Sequence, residues 1–420
     1  MNASFPTSRP SACPGLMRVV QARDGGLARL RLAGGELRAD AAHALAHAAM
    51  CCGSGIIDIT NRANLQLRGI HDDAHARLVG IALDAGLGPQ AQGGDDLRNV
   101  MLSPLASDAT RALCDAIVGA MQRDPALHAL SPKFALQLDG GERLAMLDHP
   151  HDVWLSATDD GSRYAFGLGG TVPHRIGDAP ALGSVARDDV VAFVLSALHA
   201  FLARASNEEH RMRALIARIG LPLIVDSLSF DAVRSDWRRA PADASLRFGA
   251  HPMPDRAAWY VGAQPPLGRL DAATLDALAD LASAHAQGRL VMTPWQGVLL
   301  PDVAESRTRY VIERLDALGL VTDANAPLAR MIACSGSTGC ARSHADTKAD
   351  AHRLATLLRA PVDVHLSGCE RSCAAAHPVP VTMMAVSHAR YDLHVDARIA
   401  ARNLSIEEAA EWLARSHADA

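Results

Sequence analysis

Three observations predict an α+β fold in which two small β-α-β-β units pack together beside two α/β regions. A segment running from Leu37 to Gly55 and Thr60 is echoed from Leu270 to Gly288 and Thr293, with Leu, Gly and Thr at identical spacing. The residues between the copies, and those after the second, alternate strand-like apolar runs with helical periodicity. A chain of 420 residues that is 49% hydrophobic can bury a sizeable core, and with aromatics at 4% that core must be built from Ala, Leu, Val and Ile.

The elements follow in order. Residues 1–85 hold the first copy: a helix over ADAAHALAHAAM, the strand IIDIT, then a strand at Leu65-Gln66-Leu67. Such a unit cannot cover both faces of its sheet, so it packs with the second copy, residues 236–310, which runs through DAATLDALADLASAHA to RLVMT and Val298-Leu299-Leu300. Residues 86–235 form an α/β region with strands KFALQLD, DVWLSAT and RYAFGLG and helices near 108–122, 187–203 and 206–219. A Pro-rich irregular stretch from Leu221 to Asp255 leads into the second copy. ESRTRYVIERLDALGL is a connecting helix to a second α/β region, residues 311–420, with the helix DTKADAHRLATLLR, the strand PVDVHL and paired strands VPVTMMAVS and YDLHV. Ser405 and Glu408 form a capping box that opens the last helix.

Composition excludes several classes. The apolar run from Val190 to Ala203 is too short to span a bilayer and contains Ser196 and His199, so it reads as a buried helix rather than a membrane segment. The opening MNASFPTSRP lacks the apolar run of a secretory signal, which places the chain in the cytoplasm and makes its eight cysteines thiols or metal ligands rather than disulfides. A net charge of −5 argues against general nucleic-acid binding, so anions must be recognised by local cations.

Four of the cysteines carry the sharpest signal. Cys334 and Cys340 have five residues between them, Cys369 and Cys373 have three, and 28 separate the pairs. The first loop, Ser335-Gly336-Ser337-Thr338-Gly339, contains only small residues and can wrap closely, aiming backbone N–H groups at inorganic sulfide. Zinc knuckles use two to four intervening residues and fit this loop poorly. A 4Fe-4S cluster on Cys334, Cys340, Cys369 and Cys373 is the expected occupant. Cys13, the Cys51-Cys52 pair and Cys114 lack ligand spacing and read as packing thiols.

Electrons from a cluster need an acceptor. Cations recur at strand ends in the first half: Arg29 and Arg31, Arg62 and Arg68, Arg98, and Lys133. Strand alternation places Arg29 and Arg31 on one face, which suits an anionic ligand. Lys133 stands out because Lys348 is the only other lysine among 41 basic residues.

The strings RLAGG, TNRANLQLRG, RNV, PKF, CSGSTGC and SGCERSC, together with the duplication, resemble the sulfite and nitrite reductase superfamily over nearly the whole chain. That resemblance implies two ferredoxin-like half-domains packed together, two α/β domains of the reductase type, and a 4Fe-4S cluster on the four cysteines. It makes Cys373 the bridge to a haem iron in the reductases. It assigns tetrapyrrole carboxylates and the small anion to Arg31 (or Arg29), Arg62, Arg98 and Lys133.

Within the superfamily, CPGLMRVVQARDGG, IIDITNRANLQLRGI, MTPWQGVLLPD, SGSTGCARSHADTKADA and HLSGCERSCAAAHP are most similar to the branch of precorrin-3B synthases. That branch implies a monooxygenase of cobalamin biosynthesis with precorrin-3A and dioxygen as substrates and an unidentified electron donor, either an NADH-linked reductase or ferredoxin. It further implies a mononuclear non-haem iron, for which His149, His151, His365 and His377 are candidates without diagnostic spacing. One feature departs from the sulfite reductases: their second active-site lysine is matched by Ala135, which strand alternation would place on the face of Lys133. The alternatives are a sirohaem-dependent nitrite or sulfite reductase, and a non-catalytic iron–sulfur protein.

Overall fold

The two echoed segments fold as the same unit in the computed structural model, which describes residues 13–418 apart from 232, 234, 235, 359, 376 and 378. The first copy runs Glu36–Arg38, helix Ala39–Cys52, Ile56–Ile59 and Leu65–Ile70. The second runs Arg269–Asp271, helix Ala272–His285, Arg289–Met292 and Val298–Val303. The shared glycines have a physical reason: Gly55 and Gly288 follow the helices at φ 76° and 69°, a left-handed conformation that costs other residues energy. The two helices pack on one another, and Ala42, Ala49, Ala279 and Ala282 are buried on them.

The copies also exchange strands. Glu36–Arg38 pairs antiparallel with Arg289–Met292 of the second copy, and Arg269–Asp271 pairs antiparallel with Ile56–Ile59 of the first. The resulting five-stranded sheets run Val20–Ala22, Gly25–Leu30, Leu65–Ile70, Ile56–Ile59, Arg269–Asp271 and Gly249–Pro252, Trp259–Ala263, Val298–Val303, Arg289–Met292, Glu36–Arg38. Each copy therefore supplies an edge strand to the other's sheet.

The chain divides into two units. The first comprises 1–20, 28–34 and 86–242, the second 21–27, 35–85 and 243–420. Unit one contains a sheet in which Val100–Leu102, Leu136–Asp139 and Val153–Ala157 are parallel and Arg163–Leu168 and Gly183–Ala186 antiparallel. Phe134, Leu136, Phe166, Phe193 and Phe201 fill its core, with helices Asp108–Arg123 and Val190–Leu202 packed on one another.

Unit two holds, besides the two copies, a sheet of the same topology: Met331–Ala333, Val364–Ser367 and Val381–Ser387 parallel, then Arg390–Val395 and Arg398–Leu404 antiparallel. Its helices Thr347–Leu357 and Ile406–Ala418 occupy the same places in the strand order as the helices of unit one. The α/β region is thus duplicated as well, a relation with no readable sequence echo. The closing helix opens as the capping box requires, Ser405 N–H donating to Glu408 at 2.7 Å and Glu408 N–H to Ser405 Oγ at 3.2 Å.

Two local expectations differ from the structure. The strand Gly25–Leu30 ends before Arg31, so Arg29 stays half-buried while Arg31 is 1% exposed, and the two do not share a face. Lys133 lies in a turn before Leu136–Asp139, because Asn99 and Asp152 engage the backbone there and delay the strand. Strand alternation therefore does not relate Lys133 to Ala135.

Candidate iron–sulfur site

The cysteine loops leave the ends of two parallel strands in unit two. Cys334 follows Met331–Ala333, and Cys369 follows Val364–Ser367 after Gly368. These strands are neighbours, so their C-terminal ends bring the loops together; Val364 and Leu366 face the core and are fully buried. Gly368 N–H donates to Cys334 Sγ at 3.3 Å, and His344 N–H to Gly368 O at 2.9 Å. A side chain at Gly368 has no room: its Cβ would lie 1.8 Å from Ser343 Oγ and 3.3 Å from Cys334 Sγ.

Each loop is internally braced. Ser337 N–H donates to Ala345 O at 2.8 Å and Cys340 N–H to Gly336 O at 2.9 Å. Thr347 Oγ1 donates to Cys334 O at 2.9 Å and lies 3.4 Å from its sulfur. Ser367 Oγ donates to Cys369 O at 2.7 Å, while Ser372, at φ 46°, turns the chain into Cys373. A non-glycine residue in that region carries roughly 1–2 kcal/mol of strain, held here by the surrounding bonds. Cys373 is the exposed member of the four.

A 4Fe-4S cluster fits this arrangement. Partial burial raises the Cys373 thiol, and the neighbouring Cys369, Cys334 and Cys340 raise it further against the pull of Arg371. Among the described residues no three His, Cys, Asp or Glu converge on one metal ion. A cubane cluster does not ask for that, since each thiolate binds a different iron and the sulfurs stand wider apart. A mononuclear iron does ask for it, and no such set is found among the described residues. His365 is 2% exposed, and burial holds its imidazole down to about 4.

The first copy grips both loops. Arg68, 2% exposed, donates from Nε and Nη2 to Asp24 at 2.7 and 3.0 Å and from Nη1 to Asp58 at 3.3 Å. It reaches the first loop through Ser335 Oγ at 3.1 Å and Gly339 O at 2.9 Å. Asn61 Nδ2 donates to Cys373 O at 3.3 Å and Ala374 O at 3.2 Å. Lys348 donates to Leu267 O at 2.6 Å; burial pulls its ammonium down to about 8 against the attraction of Asp58. The partnership of Arg68, Asp24, Asp58 and Asn61 with the loops escapes a sequence reading, although an Asp inside the apolar strand IIDIT is itself a signal of a buried, paired charge.

Burial alone would raise the Asp58 carboxyl, but Lys348, Arg269 and Arg68 outweigh it and hold it below the usual carboxylate range. A group with a depressed folded pKa stabilises the protein above its unfolded value, about 3.9, and that stability disappears as pH falls through the native one. The melting temperature of the wild type is expected to fall on acidification below about pH 4 more steeply than that of Asp58→Asn, the two converging at the acid end. Parallel acid limbs would show that Asp58 contributes nothing there.

The cations implied by the resemblance are divided between the units. Arg62 is in unit two, on the turn that carries Asn61. Arg31, Arg98 and Lys133 are in unit one. Arg31 pairs with Asp96 at 2.9 Å and lies 3.6 Å from Asp95, and Arg18 joins Asp96 at 3.1 Å. Arg98 donates to Leu87 O, and its guanidinium is held below the usual range by burial and by Arg31, against the pull of Asp95. Lys133 is exposed. Ala135 is fully buried, and its N–H donates to Asp152 at 2.8 Å. Asp152 also accepts from Met212 N–H at 2.7 Å and Arg211 Nε at 3.0 Å.

Comparison with known proteins places this arrangement in a class. The nitrite/sulfite reductase ferredoxin-like half domain matches twice, at residues 20–84 and 251–318, and the nitrite and sulphite reductase 4Fe-4S domain matches at 93–229. The chain belongs to the nitrite and sulfite reductase superfamily. The 4Fe-4S domain match contains one cysteine, the buried Cys114, so the paired cysteines lie in the second α/β region, outside both matches.

A chloroplastic ferredoxin–nitrite reductase of Zea mays is 28% identical over 85% of this chain and 68% of its own length. A precorrin-3B synthase of Sinorhizobium sp is 27% identical over 90% of this chain and 81% of its own. A ferredoxin sulfite reductase of Mycobacterium tuberculosis is 25% identical over 82% and 67%. The chain spans 61 to 68% of the length of the plant nitrite reductases it matches. The solved structure of the Mycobacterium tuberculosis NirA protein shares the fold, with a TM-score of 0.72 at 22% identity, covering 94% of this chain and 80% of that one. No helix among the described residues is long and apolar enough to cross a membrane.

Proposed function

We propose that this chain is an iron–sulfur oxidoreductase of the cytoplasm with the activity of a precorrin-3B synthase. Precorrin-3A is hydroxylated at the meso carbon between rings D and A, and the ring A acetate closes to a lactone. One oxygen atom of dioxygen enters the product and the other leaves as water, with two electrons from the donor. A 4Fe-4S cluster, when bound, supplies single-electron transfer. Cys334, Cys340, Cys369 and Cys373 would hold it, and Arg62, Arg98 and Lys133 would meet tetrapyrrole carboxylates, whereas Arg31, buried and paired with Asp95 and Asp96, is taken up within the fold.

The mutual coverage with the Sinorhizobium synthase, 90% of this chain and 81% of the relative, carries the reading. Ala135, buried where the sulfite reductases are expected to place a second lysine, supports it too. Exposed Arg342 and Arg371, beside Cys340 and Cys373, suit an acidic electron carrier such as ferredoxin. The second reading, a sirohaem-dependent nitrite or sulfite reductase, is favoured by the number of relatives so named.

The test is incubation of the anaerobically purified chain with precorrin-3A, a reductant and labelled dioxygen, read by mass spectrometry. A product carrying one labelled oxygen atom is expected, from protein without a stoichiometric Soret band. Reduction of nitrite or sulfite without labelled product would replace this reading with the second. Arg62→Ala, Arg98→Ala and Lys133→Ala should each weaken precorrin-3A binding about ten- to a hundredfold, the loss of one charge-assisted hydrogen bond, with cluster absorbance intact. Unchanged binding in all three would remove these residues from the substrate site.

A further inference from the structure

We infer that Arg68 is the positioning residue of the first cysteine loop: its guanidinium clamps both ends of the residues between Cys334 and Cys340 and sets the separation of those two sulfurs. The inference rests on the reading that the four cysteines hold a cluster, and it concerns how the loop is held, in the empty chain as well as the loaded one.

A guanidinium has five N–H donors in a rigid fork, and all five are used here. Three go to carboxylates, Nε and Nη2 to Asp24 and Nη1 to Asp58. The remaining two go to Ser335 Oγ, the residue after Cys334, and to Gly339 O, the residue before Cys340. The carboxylates fix the fork, and the fork fixes the loop ends. A single ammonium could balance the two carboxylates, yet it could not reach both loop ends from one position.

The loop is shaped around the fork. A Cβ on Gly339 would lie 2.3 Å from Arg68 Nη2, so only glycine admits the guanidinium at this distance. Arg269 provides the contrast within the same ion network. It donates to both oxygens of Asp58, at 2.8 and 3.1 Å, and to no loop atom among the described residues. A residue that merely balances charge should behave like Arg269, whereas a clamp should act on residues 335–340 alone.

The experiment uses the full chain, first without metal. Hydrogen exchange by mass spectrometry should show the amides of 335–340 exchanging about tenfold faster in Arg68→Lys, the loss of one charge-assisted bond, with other segments unchanged. Gly339→Ala, which keeps the arginine but displaces it, should do the same. In the Arg68→Lys background Gly339→Ala should add little, since the slimmer side chain relieves the clash. Arg269→Lys should leave the loop at the wild-type rate. Iron and sulfide uptake under anaerobic reconstitution should slow about tenfold in Arg68→Lys and Gly339→Ala and not in Arg269→Lys.

Loop exchange at the wild-type rate in Arg68→Lys, or an equal rise in Arg269→Lys, overturns the inference. Should Arg68→Lys fail to fold, Gly339→Ala decides by the same criterion. If the wild type itself takes up no iron and sulfide, the cluster reading fails, while the exchange measurement still decides the role of Arg68.

Discussion

Cys334→Ser, Cys340→Ser, Cys369→Ser and Cys373→Ser are each expected to lose most of the iron and inorganic sulfide carried by the anaerobically purified wild type. Thiolate is the soft ligand that holds iron–sulfur clusters, and a serine hydroxyl at neutral pH is neither soft nor ionised. The loops offer no spare sulfur, since the other cysteines stand elsewhere: Cys114 is buried in the core of unit one, where burial pushes its thiol up to about 12. Cys52, on the helix of the first copy, is pushed up to about 11 by burial and by Cys51. Cys51→Ser and Cys114→Ser should therefore keep full iron and sulfide. Wild-type iron content in both Cys369→Ser and Cys373→Ser would sink the cluster assignment, as would zinc in the untouched protein.

Asp139→Ala should destabilise unit one by about 3–5 kcal/mol, the cost of leaving a buried charge without its partner. Asp139 is 1% exposed and accepts from Arg239 Nε at 2.7 Å and Nη2 at 3.3 Å, with Ser156 Oγ donating at 2.5 Å. Arg239 is 5% exposed, so its guanidinium would lose its carboxylate in a place water scarcely reaches. Asp139 ends the strand Leu136–Asp139, the second parallel strand of its sheet, as Ser367 ends the strand before Cys369 in the sister sheet. One α/β topology thus carries an ion pair at that strand end in unit one and a cysteine loop in unit two. Calorimetry should find a thermal transition lowered in Asp139→Ala, with the double change Asp139→Ala and Arg239→Met recovering much of the loss. No recovery in the double variant would mean that the pair acts through its hydrogen bonds rather than its charge.

The superfamily and the cysteine loops were legible in the residues, while the network around them was not. The pairing of Cys334 with Cys340 and of Cys369 with Cys373 in two loops could be read because spacing within a loop is a local property. The reading of Arg29 and Arg31 failed because it assumed that the strand continues past Leu30. Lys133 and Ala135 went the same way: backbone bonds to Asp152 and Asn99, distant in sequence, keep that segment out of the strand. The duplicated α/β region left no echo because a sheet needs only apolar alternation and turns at the right places, which many sequences meet.

What the sequence determined by itself is what short-range chemistry enforces: the helix-ending glycines Gly55 and Gly288, the Ser405 and Glu408 cap, the small-residue loop between two cysteines, and the fourfold set of thiols. Tertiary structure alone decided which strands trade places between the copies, that Arg31 spends its charge on Asp95 and Asp96, and that Arg68 and Asn61 hold the cysteine loops. Those outcomes depend on burial. A charge removed from water must find partners wherever the fold places them, and Asp24, the hairpin of Asp58 and Arg68, and Ser335 come together only after three separate stretches of chain have packed.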